Sequence, residues 1–172
     1  MARTVTFLGT PLHLVGTPPE AGQKAPDFTT HVFAGAEGLK EVTLASLPAK
    51  ARLISVVPSL DTGVCSKQTK TFNEALAELG DSVAAYTVSL DLPFAQARYC
   101  GAEGIESFQT VSDYKDRSFG TNWGLLVDEL KLLARAVYVV DKDGTIVHAE
   151  VMDEMTHEPD YDAAMAALKS IA

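Results

Sequence analysis

A chain of 172 residues, 47% apolar and 22% charged, is long enough to bury its own core and reads as a single domain over residues 1–172. The net charge of −9 and pI near 4.8 leave no surplus of cations to neutralise phosphates, which argues against nucleic acid, and no run reaches the ~18 apolar residues of a membrane span. Two cysteines are too few for a secreted disulfide scaffold, and the four histidines are scattered without metal-ligand spacing, so neither metal nor cofactor is expected.

The run from Met1 to Phe7 alternates and lacks the apolar core of a signal peptide, which makes a cytoplasmic location the expectation. Residues 4–8 and 11–15, around Gly9-Thr10, have the spacing of a β-hairpin, an N-terminal extension over residues 1–16. Residues 17–22, with Pro18 and Pro19, form an extended connector, and Lys24-Ala25-Pro26-Asp27-Phe28-Thr29 is a turn with Phe28 as core anchor. Residues 34–39 are a Gly-rich loop, 41–44 a short strand and 45–50 a turn. Residues 52–57 are rich in Val, Ile and Leu without clean alternation, as in a central strand covered on both faces.

The next stretch, Val57-Pro58-Ser59-Leu60-Asp61-Thr62-Gly63-Val64-Cys65, joins that strand to a helix over about residues 63–79, apolar at Val64, Phe72, Ala75, Leu76 and Leu79 and stopped by Gly80. Cys65 therefore falls in the first helical turn, where unpaired N–H groups and the helix dipole favour an anion such as a thiolate. Such a cysteine is a candidate nucleophile. Thr62 can turn its hydroxyl toward the sulfur or a substrate oxygen, and Pro58 can wall a pocket without presenting a backbone donor. On helix position alone, a small buried hydrophobe explains Cys65 as well. Asp61-Thr62-Gly63 also matches the triplet of aspartic proteases, but that chemistry needs two carboxylates sharing a proton, and a single copy would require a homodimer.

Residues 82–89 read as a second buried strand, parallel to the first across the helix. Asp91 then caps, and Pro93 starts, a short helix that ends at Gly101 with Cys100 in its last turn. A short strand at 111–114 precedes a short helix at 118–124, which sets Phe119 and Trp123 on one face as core or dimer interface. Residues 124–132 are a connection, 134–140 a strand, Asp141-Lys142-Asp143-Gly144 the turn into an antiparallel partner at 145–151, and 159–169 an Ala-rich helix. Arg135 stands at the head of an apolar strand, an unusual place for a charge. A guanidinium with several fixed donors suits the stabilisation of a thiolate; the alternative is an exposed strand-end arginine. Arg52, Arg98 and Arg117 are weaker candidates for the same role, with surface positions the favoured reading. The element order implies an α/β fold, a mixed central sheet with helices on both faces.

Pro58, Thr62 and Cys65 occupy the fixed positions of Pro-x-x-x-Thr-x-x-Cys, and with them the chain resembles the peroxiredoxins. The longer stretch from Val57 to Cys65, the segment Asp91-Leu92-Pro93-Phe94-Ala95-Gln96-Ala97-Arg98-Tyr99-Cys100-Gly101, and Leu133-Ala134-Arg135-Ala136-Val137 are similar to one bacterial subfamily, the thiol peroxidases. The likeness runs from the N-terminal hairpin to Glu158-Pro159-Asp160-Tyr161. It implies a thioredoxin-like fold and a thiol-dependent peroxidase, with Arg135 as the active-site arginine. Cys65 would be oxidised to a sulfenic acid, and Cys100 would resolve it as an intramolecular disulfide of the atypical two-cysteine type. It further implies hydrogen peroxide and alkyl or lipid hydroperoxides as substrates, thioredoxin as reductant, and a homodimer. The residues alone leave two alternatives open, a general dithiol-disulfide oxidoreductase, against which the lack of Cys-x-x-Cys counts, and a redox sensor. Because a disulfide needs Cα atoms within roughly 7 Å, unwinding of one or both helix ends on oxidation is expected.

Overall fold

The computed structural model describes residues 3–172; the first two residues of the alternating N-terminal run lie outside them. Strands β1 (Thr4–Phe7) and β2 (Thr10–His13) form the expected hairpin, closed by Leu8 and Gly9 at φ +50° and +80°, the two left-handed positions of a tight primed turn. The main sheet is assembled from β3 (Thr29–Phe33), β4 (Leu39–Thr43), β5 (Ala51–Val56), β6 (Val83–Ser89), β7 (Gln109–Ser112), β10 (Ala136–Val140) and β11 (Ile146–Val151), in the order β11-β10-β5-β6-β7-β3-β4. Strands β5, β6 and β7 are parallel and the remaining pairs antiparallel. A separate two-stranded pair, β8 (Leu126–Val127) and β9 (Leu132–Leu133), lies in the segment expected to be a plain connection.

Every residue of β5 and β10 is buried, as a strand with both faces covered requires. Alternation along these strands divides the core in two. On one face Leu53, Val137 and Val139 meet Phe72 and Leu76 of α1 (Gly63–Ala77) and Ala164 and Leu168 of α4 (Tyr161–Lys169), with Tyr99 and Cys100 of α2 (Pro93–Glu103) packed at the side. On the other, Ile54, Val56 and Tyr138 meet Phe28, the N-terminal hairpin, and Phe119 and Trp123 at α3 (Ser118–Asn122). Phe28 is the core anchor its turn promised. Trp123 stacks on Phe119 with ring centroids 4.8 Å apart, and its indole N–H donates to the Pro26 carbonyl. Burying a side chain of this size stabilises by about 1.5–3 kcal/mol or more. The aromatic pair is therefore core. The whole is the thioredoxin-like α/β sandwich that the element order implied.

Three local readings are corrected. Strand β3 was not expected; its Thr30 is buried because the hydroxyl donates to the Val42 carbonyl, so a polar side chain there carries no solvent signal. Helix α2 continues past Gly101 to Glu103 and stops at Gly104, whose φ of +65° is the left-handed cap. Asp91 does not cap it. Its carboxylate accepts instead from the Ser59 hydroxyl, the Leu60 N–H and the Ser89 hydroxyl, which ties the turn before α1 to the end of β6.

Candidate active site

The stretch after β5 folds as a turn that launches α1. Val57 and Pro58 are buried at the strand end, and Thr62 is the helix cap, its hydroxyl accepting from the Cys65 N–H at 3.4 Å. Cys65 is thus the third residue of the helix. The Thr62 hydroxyl lies 2.6 Å from Cys65 Sγ, toward which it donates. Thr62 is exposed, whereas Cys65 is 0% exposed, so Thr62 is the member of the pair that borders solvent. The protease-like triplet is accordingly a helix start, with Asp61 exposed.

Arg135 immediately precedes β10, and the register of β10 on β5 pairs Ala136 with Val56. That register carries Arg135 past the end of β5 and beneath the first turn of α1. The guanidinium is 2% exposed and fully directed: Nε donates to the Met155 carbonyl at 2.8 Å, Nη1 to Gln68 Oε1 at 2.8 Å, and Nη2 to Cys65 Sγ at 3.3 Å. Gln68, itself 0% exposed, donates its amide to the Ser55 hydroxyl at 2.8 Å, so the β5 strand steadies the group that steadies the arginine. A buried cation without an anion is unfavourable by several kcal/mol. Of the three hydrogen-bond acceptors on Arg135, a carbonyl, an amide and a sulfur, the sulfur alone is ionisable. The arrangement aims a fixed, buried cation at that sulfur.

Cys100 lies half-buried near the end of α2, its Sγ 3.6 Å from the Thr110 hydroxyl, and burial pushes its thiol up from the ordinary range. Both cysteines are free, each with its own partners. Between their surroundings stands Tyr99, packed against Val57, Leu60 and Cys65 and hydrogen-bonded to the Ser66 hydroxyl at 2.9 Å. Two more ties join the same helices: Lys70 pairs with Glu103 at 2.5 Å, and Asn73 Oδ1 accepts from the Glu106 and Ser107 N–H groups just beyond α2. Ser66, Lys70 and Asn73 follow the i, i+4, i+7 stripe of one helix face.

The structure thus brings Thr62, Cys65 and Arg135 together, sets Pro58 at the base of the turn, and holds Cys100 on the neighbouring helix. Sequence reasoning missed Gln68, Ser55, Tyr99 and the Met155 carbonyl. A signal existed for Gln68, an amide three residues after Cys65 and four before Phe72 on the buried stripe. Arg98 and Arg117 are exposed as expected, but Arg52 is buried, its Nε donating to the Pro48 carbonyl.

A thioredoxin-like scaffold holding a buried thiol under a guanidinium defines a cysteine-based redox protein, and the comparisons agree. The Redoxin family model matches residues 20–165. The chain is 48% identical over 167 residues to the thiol peroxidase of Bacillus subtilis (strain 168), covering 97% of each, and 49% identical over 168 residues to that of Staphylococcus aureus (strain MRSA252), covering 97% of this chain and 98% of that one. The crystal structure of a peroxiredoxin-like protein from Aquifex aeolicus superposes with a TM-score of 0.89 at 36% identity, over 100% of this chain and 99% of the other. The chain belongs to the Redoxin family, within its thiol peroxidases. It is an enzyme that reduces peroxides at the expense of thiols.

Proposed function

We propose that Cys65 is the peroxidatic nucleophile and Cys100 the resolving cysteine of a thioredoxin-dependent peroxidase acting on hydrogen peroxide and alkyl or lipid hydroperoxides. The observation that carries this reading is the buried guanidinium of Arg135, whose one ionisable hydrogen-bond partner is the Cys65 sulfur. The Cys65 thiolate attacks one peroxide oxygen, the O–O bond breaks, and water or an alcohol leaves after taking up a proton. Cys65 is left as a sulfenic acid. Arg135 and Thr62 supply fixed donors where negative charge passes from sulfur to the leaving oxygen, the contribution that preorganised donors make to catalysis. Pro58 closes the floor of the turn.

The Cys100 sulfur then displaces hydroxide from the sulfenic acid, water forms, and an intramolecular Cys65–Cys100 disulfide results. Reduced thioredoxin returns both thiols by thiol-disulfide exchange. Since a disulfide needs Cα atoms within roughly 7 Å, one or both of the helix ends that carry Cys65 and Cys100 unwind before the bond closes. The working form is a cytoplasmic homodimer.

Peroxide-dependent NADPH consumption with thioredoxin and thioredoxin reductase tests these roles. Cys65→Ser abolishes turnover; Cys100→Ser still consumes one equivalent of peroxide but does not recycle. Normal turnover by Cys65→Ser would overturn the assignment, and stoichiometric oxidation of the unaltered chain without turnover would favour a sensor or another reductant.

A further inference from the structure

Glu154 lies in the loop after β11 and belongs to no part of the chemistry above, yet its carboxylate collects a closed set of donors. Oε1 accepts from the Leu8 N–H at 3.1 Å, the Thr156 N–H at 3.0 Å and the Thr156 hydroxyl at 2.8 Å, and Oε2 from the Thr6 hydroxyl at 2.7 Å and the Gly9 N–H at 3.1 Å. None of these donors is a cation. They hold the carboxyl at about 2, the Thr6 hydroxyl foremost. The Leu8 and Gly9 N–H groups converge because both residues are left-handed, a backbone concavity of the kind that binds anions. Leu8 is 75% exposed, so its left-handed conformation gains little from packing of its side chain. That conformation, set by the tight turn of the hairpin, also turns the Leu8 and Gly9 N–H groups onto Glu154.

That grip reaches the active site in two further bonds. The Thr6 N–H donates to the Asp153 carbonyl at 2.6 Å and the Thr6 carbonyl accepts from the Met155 N–H at 2.8 Å, so β1 is laid along the loop on both sides of Glu154. The next carbonyl, that of Met155, accepts from Arg135 Nε. The Arg135 carbonyl in turn accepts from the Met152 N–H at 3.0 Å, so the loop holds the arginine at backbone and side chain alike.

We infer that Glu154 is a positioning residue for Cys65, acting through Arg135: by locking the N-terminal hairpin onto the loop it fixes the Met155 carbonyl, which with Gln68 orients the guanidinium and aims Nη2 at the sulfur. The inference rests on the peroxidase reading of Cys65 and Arg135. It gives the hairpin a catalytic purpose.

The test uses Cys100→Ser protein, which has a single thiol, and reads the ultraviolet absorbance of the Cys65 thiolate at neutral pH together with the rate of alkylation by iodoacetamide. Glu154→Ala lowers the absorbance and slows alkylation on the order of tenfold, the scale expected when a group aimed at a reacting atom is slightly misplaced. Thr6→Val moves both readouts the same way by less, Glu154→Gln recovers part of the loss, and Arg3→Gln, which breaks only the exposed pair with Asp153 and a bond to the Val151 carbonyl, changes neither. If Arg135→Lys shifts both readouts while Glu154→Ala lowers only the melting temperature, the contact is merely structural and the inference is overturned. If Arg135→Lys shifts neither, the assignment of Arg135 itself fails. Should Glu154→Ala not fold, Thr6→Val decides: an unchanged thiolate overturns the inference.

Discussion

Arg135 and Gln68 show how a buried cation is fixed beside the Cys65 sulfur. The amide oxygen of Gln68 fixes Nη1 without neutralising it, so the guanidinium stays charged beside Cys65, with the Glu158 carboxylate also within its electrostatic reach. Gln68→Glu keeps an acceptor at that place but adds a competing anion. We expect its rate of Cys65 oxidation, followed by stopped-flow mixing with hydrogen peroxide, to fall about tenfold or more with thermal stability nearly unchanged. Arg135→Lys removes the fork that serves three acceptors at once, and about a hundredfold loss is expected in the same assay. These residues differ in how legible they are from sequence. Cys65, Thr62 and Arg135 announce themselves locally, as a thiol at a helix start, a hydroxyl three residues before it, and a charge at the head of an apolar strand. Gln68 shows only its place on the buried stripe, and that amide takes on meaning only once its partner from another strand is known.

Helices α1 and α2 carry one cysteine each and are fastened by the Ser66–Tyr99, Lys70–Glu103 and Asn73–Glu106/Ser107 ties along one edge. If disulfide formation requires a helix end to unwind, weakening a tie by about 1 kcal/mol raises the unwound population roughly fivefold. Tyr99→Phe is therefore expected to speed Cys65–Cys100 closure after a pulse of peroxide by a few-fold, measured by mass spectrometry of quenched samples; a slower closure would mean that Tyr99 guides the sulfurs together. The N-terminal hairpin is a second element held by ionised groups. Glu154 on one side and Glu129 on the other, the latter accepting from the His13 ring and N–H, are both lowered to about 2, chiefly by the Thr6 hydroxyl and the His13 ring respectively. A carboxylate with a depressed folded value contributes stability above the ordinary carboxylate range that is lost as pH falls toward that value. Hairpin amides are thus expected to lose hydrogen-exchange protection between about pH 4.5 and pH 2, ahead of β5 and β10. Hairpin, central strands and the long helices were legible from periodicity and turn residues. Strand β3 was not, because Thr30 and His31 are polar yet buried, and β8–β9 is too short to show a period.

Across the whole molecule, the fold depends on how the two faces of the sheet are covered. The connector from the hairpin crosses the end of α3 at Gly124, whose φ is +60° and where an added Cβ would lie 2.5 Å from the Thr17 backbone. Gly124→Ala combines backbone strain with a clash against atoms that cannot turn away, so a loss of more than about 1–3 kcal/mol is expected in urea unfolding. The single tryptophan sits on this same face, against Phe28, Phe119 and Tyr138, while the cysteine-bearing helices cover the other. The molecule thereby carries an internal optical gauge. Because α1 and α2 lie on the opposite face, unwinding at their ends is expected to leave the surroundings of Trp123 unchanged, so that its emission shifts to the red only when the sandwich itself comes apart. Loss of fold can then be read from Trp123 emission without interference from redox turnover.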